Sequence, residues 1–259
     1  MKKLLLSLVI VVLSFSVVEA SVTQDQCSKK GENYIFAGGE CIQFAKYKGE
    51  GNESLNIIVH GTWDSGTNTL GRYAPFAETI NMNTDITTVA IALPGYSNSS
   101  TNSLKDLKHE GSSVYFKNYI EFTAALIKAL KEKFNATKVN YIGHSAGASL
   151  GVNVVAMNPG LLYSVTAAGG RFDLNKFKED ERANLVTISE HLDSVKDTKL
   201  LLVYGTKDTI SEPQVTKDFY ELAKKNDLDV KIVEVKGAAH IDLDMTDPSV
   251  EAITEMVTE

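Results

Sequence analysis

From about residue 42 onward the chain alternates short, almost wholly apolar runs with longer stretches of helical periodicity, and few architectures accommodate both. The runs at 42–47, 55–59, 86–93, 139–142, 163–168, 200–204 and 230–235 read as strands. Several, such as Leu55-Asn56-Ile57-Ile58-Val59 and Leu200-Leu201-Leu202-Val203-Tyr204, show none of the in-out alternation of a half-exposed strand. A strand apolar on both faces belongs in the interior of a parallel sheet. Between them, 114–134 places Val114, Tyr115, Tyr119, Phe122, Leu126, Ile127, Leu130 and Phe134 at helical spacing, and 146–157, 214–225 and 250–257 also read as helices. The pattern predicts an α/β fold, a mostly parallel central sheet flanked by helices, in one domain of 55–259. No repeat interrupts it. The stretch 172–199 has room for at most a small lid, and its charged middle, Lys178-Glu179-Asp180-Glu181-Arg182, reads as a solvated helical face.

Upstream, Met1-Lys2-Lys3, an apolar run over 4–18 and the small residues Val18 and Ala20 have the parts of a signal peptide, predicted to be cleaved after Ala20. The run is shorter than the ~20 residues a spanning helix requires, so no stable membrane anchor is expected after cleavage. The expected location is therefore outside the cytoplasm, periplasmic or secreted. Residues 21–54 read as an N-terminal extension carrying both cysteines, Cys27 and Cys41. In an oxidising compartment such a pair closes a disulfide, contributing about 3 kcal/mol by loop entropy. Two cysteines without nearby histidines make a poor metal site. The formal charge of −7, one unit more negative without residues 1–20, argues against nucleic-acid binding, which needs clustered Lys and Arg.

Gly143-His144-Ser145-Ala146-Gly147 fits G-x-S-x-G, with a strand directly before it and a helix directly after it. A glycine-rich turn with an N-capping serine would look the same in isolation. The strand-turn-helix context is what a nucleophile elbow requires: Gly143 and Gly147 relieve crowding, and Ser145 is left exposed at the tip. A serine hydroxyl needs a base, and the base needs a carboxylate to hold its tautomer. Of five histidines, only His240 follows both the serine and a suitable strand-end acid. Asp208 lies in the loop after the 200–204 strand and His240 in the loop after the 230–235 strand. Asp242 and Asp244, close to His240, read instead as solvated or helix-start carboxylates. His60-Gly61-Thr62 follows the 55–59 strand, where an early loop would supply one main-chain donor to an oxyanion. Thr62 and Ala146 are the expected pair of N–H donors.

Together, His60-Gly61-Thr62, Gly143-His144-Ser145-Ala146-Gly147, Gly205-x-x-Asp208 and His240 resemble the α/β-hydrolase superfamily, from about residue 55 to the C-terminus. Pro94-Gly95-Tyr96 is similar to that family's turn after the fourth strand, and the compact length is similar to its small esterases and dienelactone-hydrolase-type members. The resemblance implies Ser145, His240 and Asp208 as catalytic residues, no metal and no cofactor. The expected chemistry is cleavage of carboxylic esters of small to medium acyl groups through an acyl-enzyme, with a small-molecule acyl substrate as the partner. A serine peptidase or acylaminoacyl-type hydrolase on the same fold shares every motif, and a non-catalytic binding protein would need none of them. Trp63, Tyr73, Phe76, Tyr96, Phe172 and Phe177 are candidates for an acyl pocket or for plain packing. No G-x-G-x-x-G, P-loop or H-E-x-x-H motif is present.

Overall fold

A computed structural model describes residues 21–50, 53–109, 113–175 and 177–259; the signal segment expected over 1–20 lies outside them. Eight strands form one sheet: β1 (Tyr34–Ala37), β2 (Glu40–Tyr47), β3 (Ser54–Val59), β4 (Thr87–Ile91), β5 (Lys138–His144), β6 (Ser164–Ala168), β7 (Lys199–Gly205) and β8 (Val230–Val235). Their spatial order is β1-β2-β4-β3-β5-β6-β7-β8. From β4 through β8 every pairing is parallel, while β1–β2 and β2–β4 are antiparallel. The helices are α1 (Gln24–Ser28), α2 (Thr69–Thr84), α3 (Lys117–Lys133), α4 (Ala146–Met157), α5 (Pro213–Lys225) and α6 (Asp247–Thr258). Helices α2 and α6 pack together against the sheet, and α3 packs with α4. Parallel strands covered by helices bury both faces, which is why β3, β6 and β7 are buried almost throughout. Among the described residues no helix is long and apolar enough to cross a membrane.

A buried polar row fixes the register of the four central strands. Asn56 donates to Thr88 Oγ1 (3.1 Å), Asn140 donates to Asn56 Oδ1 (2.9 Å), and Ser164 donates to Asn140 Oδ1 (2.8 Å). These residues are direct partners across β4, β3, β5 and β6. A slip of one residue would leave buried amides unpaired, at about 1–3 kcal/mol each.

Two features depart from the expected layout. The boundary at residue 55 cuts through the sheet, because residues of the 21–54 segment supply β1 and β2, its antiparallel edge. Within that segment the Cys27–Cys41 disulfide joins α1 to β2, and Glu40 ties it to the 100–104 loop. Fully buried Glu40 accepts hydrogen bonds from Ser100 Oγ, from Ser103 Oγ and from the N–H groups of Asn102, Ser103 and Leu104. Helix α2 was not expected at all, because Gly71 and Pro75 inside it break the local helical pattern. It forms because Tyr73, Phe76, Ala77 and Ile80 bury one face against the core.

The 172–199 stretch makes short 3-10 turns at Glu179–Asn184, Ile188–Glu190 and Leu192–Val195. Phe172, Leu174, Leu185, Ile188 and Val195 are buried, and Asn153 of α4 accepts the Ile188 N–H. It is a packed cover over α4 whose charged run at 178–181 faces solvent.

Candidate active site

The parallel strands all end at one edge of the sheet, and the strand order reverses at β3, between β4 and β5. The crevice outside such a switch point is where open α/β sheets place their sites. Ser145 sits there, between β5 and α4, with φ 55° and ψ −118°, a backbone region that costs a non-glycine residue of order 1–3 kcal/mol. The turn is tight enough that a Cβ on Gly143 would lie 2.5 Å from the Gly147 carbonyl oxygen. One on Gly147 would lie 2.4 Å from the Val59 carbonyl oxygen on β3. Both positions therefore require glycine, and the strain at Ser145 is held by packing on both sides.

The structure brings Ser145, His240 and Asp208 together. His240 Nε2 lies 2.8 Å from Ser145 Oγ, and His240 Nδ1 lies 2.7 Å from Asp208 Oδ2. Asp208 Oδ1 accepts the N–H groups of Ile210 and Ser211, both at 2.8 Å. With the carboxylate accepting at Nδ1–H, the lone pair of Nε2 faces the serine hydroxyl. Burial pushes the His240 imidazole below its ordinary pKa; the Asp208 hydrogen bond opposes this without cancelling it, and His144 adds to the lowering.

The two expected N–H donors also border Ser145. Ala146 is the first residue of α4, so its N–H has no intrahelical acceptor. Thr62 lines both cavities that border Ser145. The orientation of its peptide is set by His60, whose role the sequence left open. His60 is fully buried; its Nε2 accepts the Leu93 N–H (3.0 Å), so the proton is on Nδ1, which donates to the Gly61 carbonyl (2.7 Å). In a trans peptide the Thr62 N–H then points opposite to that carbonyl. Burial lowers the His60 pKa to about 4. The unfolded chain takes up this proton near pH 6.5 and the folded one does not, so His60 alone lowers stability by about 3 kcal/mol as pH falls from 6.5 to 4. Urea unfolding at pH 7 and pH 4.5 should show that loss, and His60→Asn should lack that component.

Four further contacts were not legible in sequence. His144, inside the pentapeptide, donates from Nε2 to the His240 carbonyl (2.7 Å), while its Nδ1 lies 3.2 Å from the Tyr73 hydroxyl. Arg72 donates to the Ile241 carbonyl (3.1 Å) and to the Asp242 carboxylate, so α2 latches the His240 loop. Asp242 is thus an exposed ion-pair partner, whereas Asp244 corrects expectation: it is buried, and burial raises its carboxyl pKa. Neither is hydrogen-bonded to His240. Among the aromatic candidates, Tyr73, Phe76, Tyr96 and Phe172 are core residues and Phe177 packs against that core on Tyr115; Trp63 alone borders the cavity beside His240. Among the described residues no group of three His, Cys, Asp or Glu side chains is arranged to hold a metal ion.

The profile of the family described as alpha/beta hydrolase fold matches residues 57–194, more than half of the chain, and the protein belongs to that family. Asp208 and His240 lie C-terminal to the matched span. Sequence comparison with curated proteins finds no match. Among solved structures, one described as a predicted CIB-like hydrolase from Thermoplasma acidophilum is similar with a TM-score of 0.64 at 17% identity, over 88% of this chain and 97% of that one. Est1E from Butyrivibrio proteoclasticus with ferulic acid bound aligns with a TM-score of 0.61 at 18% identity, over 87% and 96%. A monoacylglycerol lipase from Paleococcus ferrophilus aligns at 0.60 and 17% identity, over 84% and 98%. At these identities the likeness speaks to the fold.

Proposed function

We propose that the protein is a serine hydrolase that cleaves carboxylic esters of small to medium acyl groups through an acyl-enzyme. The observation that carries this reading is the unbroken hydrogen-bond chain Ser145–His240–Asp208 beneath an open cavity. In the reaction, Ser145 Oγ attacks the ester carbonyl carbon as its proton passes to His240 Nε2. The Thr62 and Ala146 N–H groups hold the developing oxyanion, a contribution of about 3 kcal/mol for each donor in comparable sites. His240 then returns the proton to the leaving alcohol oxygen. Water, deprotonated by the same nitrogen, attacks the acyl carbon; the acyl–Oγ bond breaks, His240 returns that proton to Ser145 Oγ, and the acid leaves. Asp208 keeps Nε2 unprotonated and turned toward the serine. Proteins of similar fold include an esterase and a monoacylglycerol lipase, which lends support to ester chemistry.

The proposal extends to processing after Ala20 and export to an oxidising compartment. The Cys27–Cys41 disulfide supports that part.

A panel of p-nitrophenyl esters of graded acyl length, run beside a peptide panel, tests the reading. Ester hydrolysis with negligible peptide cleavage is expected; the reverse order would favour a peptidase. The acid limb supplies a second check. His240 must be unprotonated to act as base, and burial lowers its pKa from 6.5. So kcat/KM should be full at neutral pH, fall as pH drops, and reach half its maximum below pH 6.5. A midpoint at or above that value would contradict the assignment.

A further inference from the structure

Two cavities meet at Ser145 and differ in chemistry. The larger, about 400 Å³, is bordered by Trp63, His240, Ile210 and Ile241, with the two isoleucines 58% and 53% exposed at its rim. The smaller, about 120 Å³, is bordered by Tyr115, Ser149, Arg171 and Ser211. His240 lines only the larger. Because the leaving oxygen must receive its proton from His240 Nε2, the alcohol half of an ester lies on the His240 side. The acyl half lies on the other side, toward Arg171.

We infer that the smaller cavity is a subsite for a short acyl arm ending in a carboxylate, read by Arg171, and that the larger takes an apolar alcohol. This rests on the ester-hydrolase reading and deepens it. Arg171 follows the Gly169-Gly170 turn at the end of β6, and its main-chain N–H donates to Ser149 Oγ (2.9 Å). Its Nη2 donates to the Ile210 carbonyl, so the guanidinium bridges the mouth between β6 and the Asp208 loop. Among the described residues it forms no ion pair, whereas Arg72 is paired with Asp242. A guanidinium has five N–H donors in a planar fork, and one Nη2 bond leaves donors for a carboxylate. Asp208 is already engaged by His240 and two N–H groups, and Asp173 bears with Arg171 on Tyr115; neither lines the cavity. At roughly 10–15 Å³ of such space per water, the cavity has room for several water-sized groups, and so for a two-carbon arm and its carboxylate. A succinate hemiester fits that description.

The test compares monobutyl succinate with its neutral isostere, butyl 4-methylpentanoate, followed by acid release in a pH-stat. The wild-type protein should favour the hemiester at least tenfold in kcat/KM. In Arg171→Gln that ratio should fall at least tenfold, and Arg171→Lys should keep part of it. A wild-type ratio near one overturns the inference. So does a ratio unchanged in Arg171→Gln with both rates lowered together, which would make Arg171 only a clamp on the Asp208 loop. Preference for the sodium salt of 3-acetoxypropanoate, which carries its carboxylate on the alcohol side, would overturn the assignment of the two halves. If neither ester is cleaved and a fluorophosphonate leaves Ser145 unmodified, the ester-hydrolase reading is what fails. Calorimetric binding of monobutyl succinate still decides the subsite in that case: at least tenfold weaker binding to Arg171→Gln supports it, and equal binding overturns it.

Discussion

Ser145→Ala should lower kcat on a p-nitrophenyl ester by about 10⁴- to 10⁶-fold, leaving only what the oxyanion donors and binding supply. The hydroxyl is the only group at the elbow tip in contact with His240 Nε2, at 2.8 Å, and alanine offers that nitrogen nothing to deprotonate. The strained φ at this position is shared by both side chains, so the fold should persist, which circular dichroism would check. Intact-mass detection of a fluorophosphonate adduct gives the clearest reading: one adduct on the wild type and none on the variant. An adduct on Ser145→Ala would move the nucleophile elsewhere and remove the mechanism with it.

Asp208→Asn should cost about 10⁴-fold in kcat near neutral pH while leaving the geometry intact, because it installs the wrong tautomer at His240. The reason is local. Oδ1 of Asp208 accepts two main-chain N–H groups, from Ile210 and Ser211. An asparagine must keep its oxygen there, so its NH₂ falls where Oδ2 now faces His240 Nδ1. That nitrogen must then accept, the imidazole proton moves to Nε2, and Nε2 meets Ser145 as a donor with no lone pair to take the serine proton. Retention of more than a tenth of wild-type kcat would mean another carboxylate can orient the ring. Asp244, buried and acting electrostatically on His240, would be the first to test by a double substitution.

Much of this arrangement could be read along the chain because it depends on local order. Seven of the strands are recognisable as apolar runs, since burial on both faces writes itself into consecutive residues. The β5–Ser145–α4 elbow is equally local: a strand, two glycines at fixed spacing and a helix. Strand ends carry Asp208 and His240 into the same crevice for the same reason, since parallel strands finish at one edge. Where local pattern is broken, sequence reading loses the element, as with α2 across Gly71 and Pro75. It also loses β1, whose four residues are too short to show a period.

By itself, then, the order of residues determined the class of fold, the elbow, and which alcohol, imidazole and carboxylate would be neighbours. Folding in three dimensions decided what no linear pattern carries. It set the Asn56–Asn140–Ser164 row that locks register, the His60 proton that aims the Thr62 peptide, and the Arg72 and His144 contacts that hold the His240 loop. It also separated a polar cavity from an apolar one across a single serine. These depend on side chains meeting side-chain or main-chain groups 24 to 170 positions away within hydrogen-bond distance, and such meetings follow from packing and register, which periodicity does not encode.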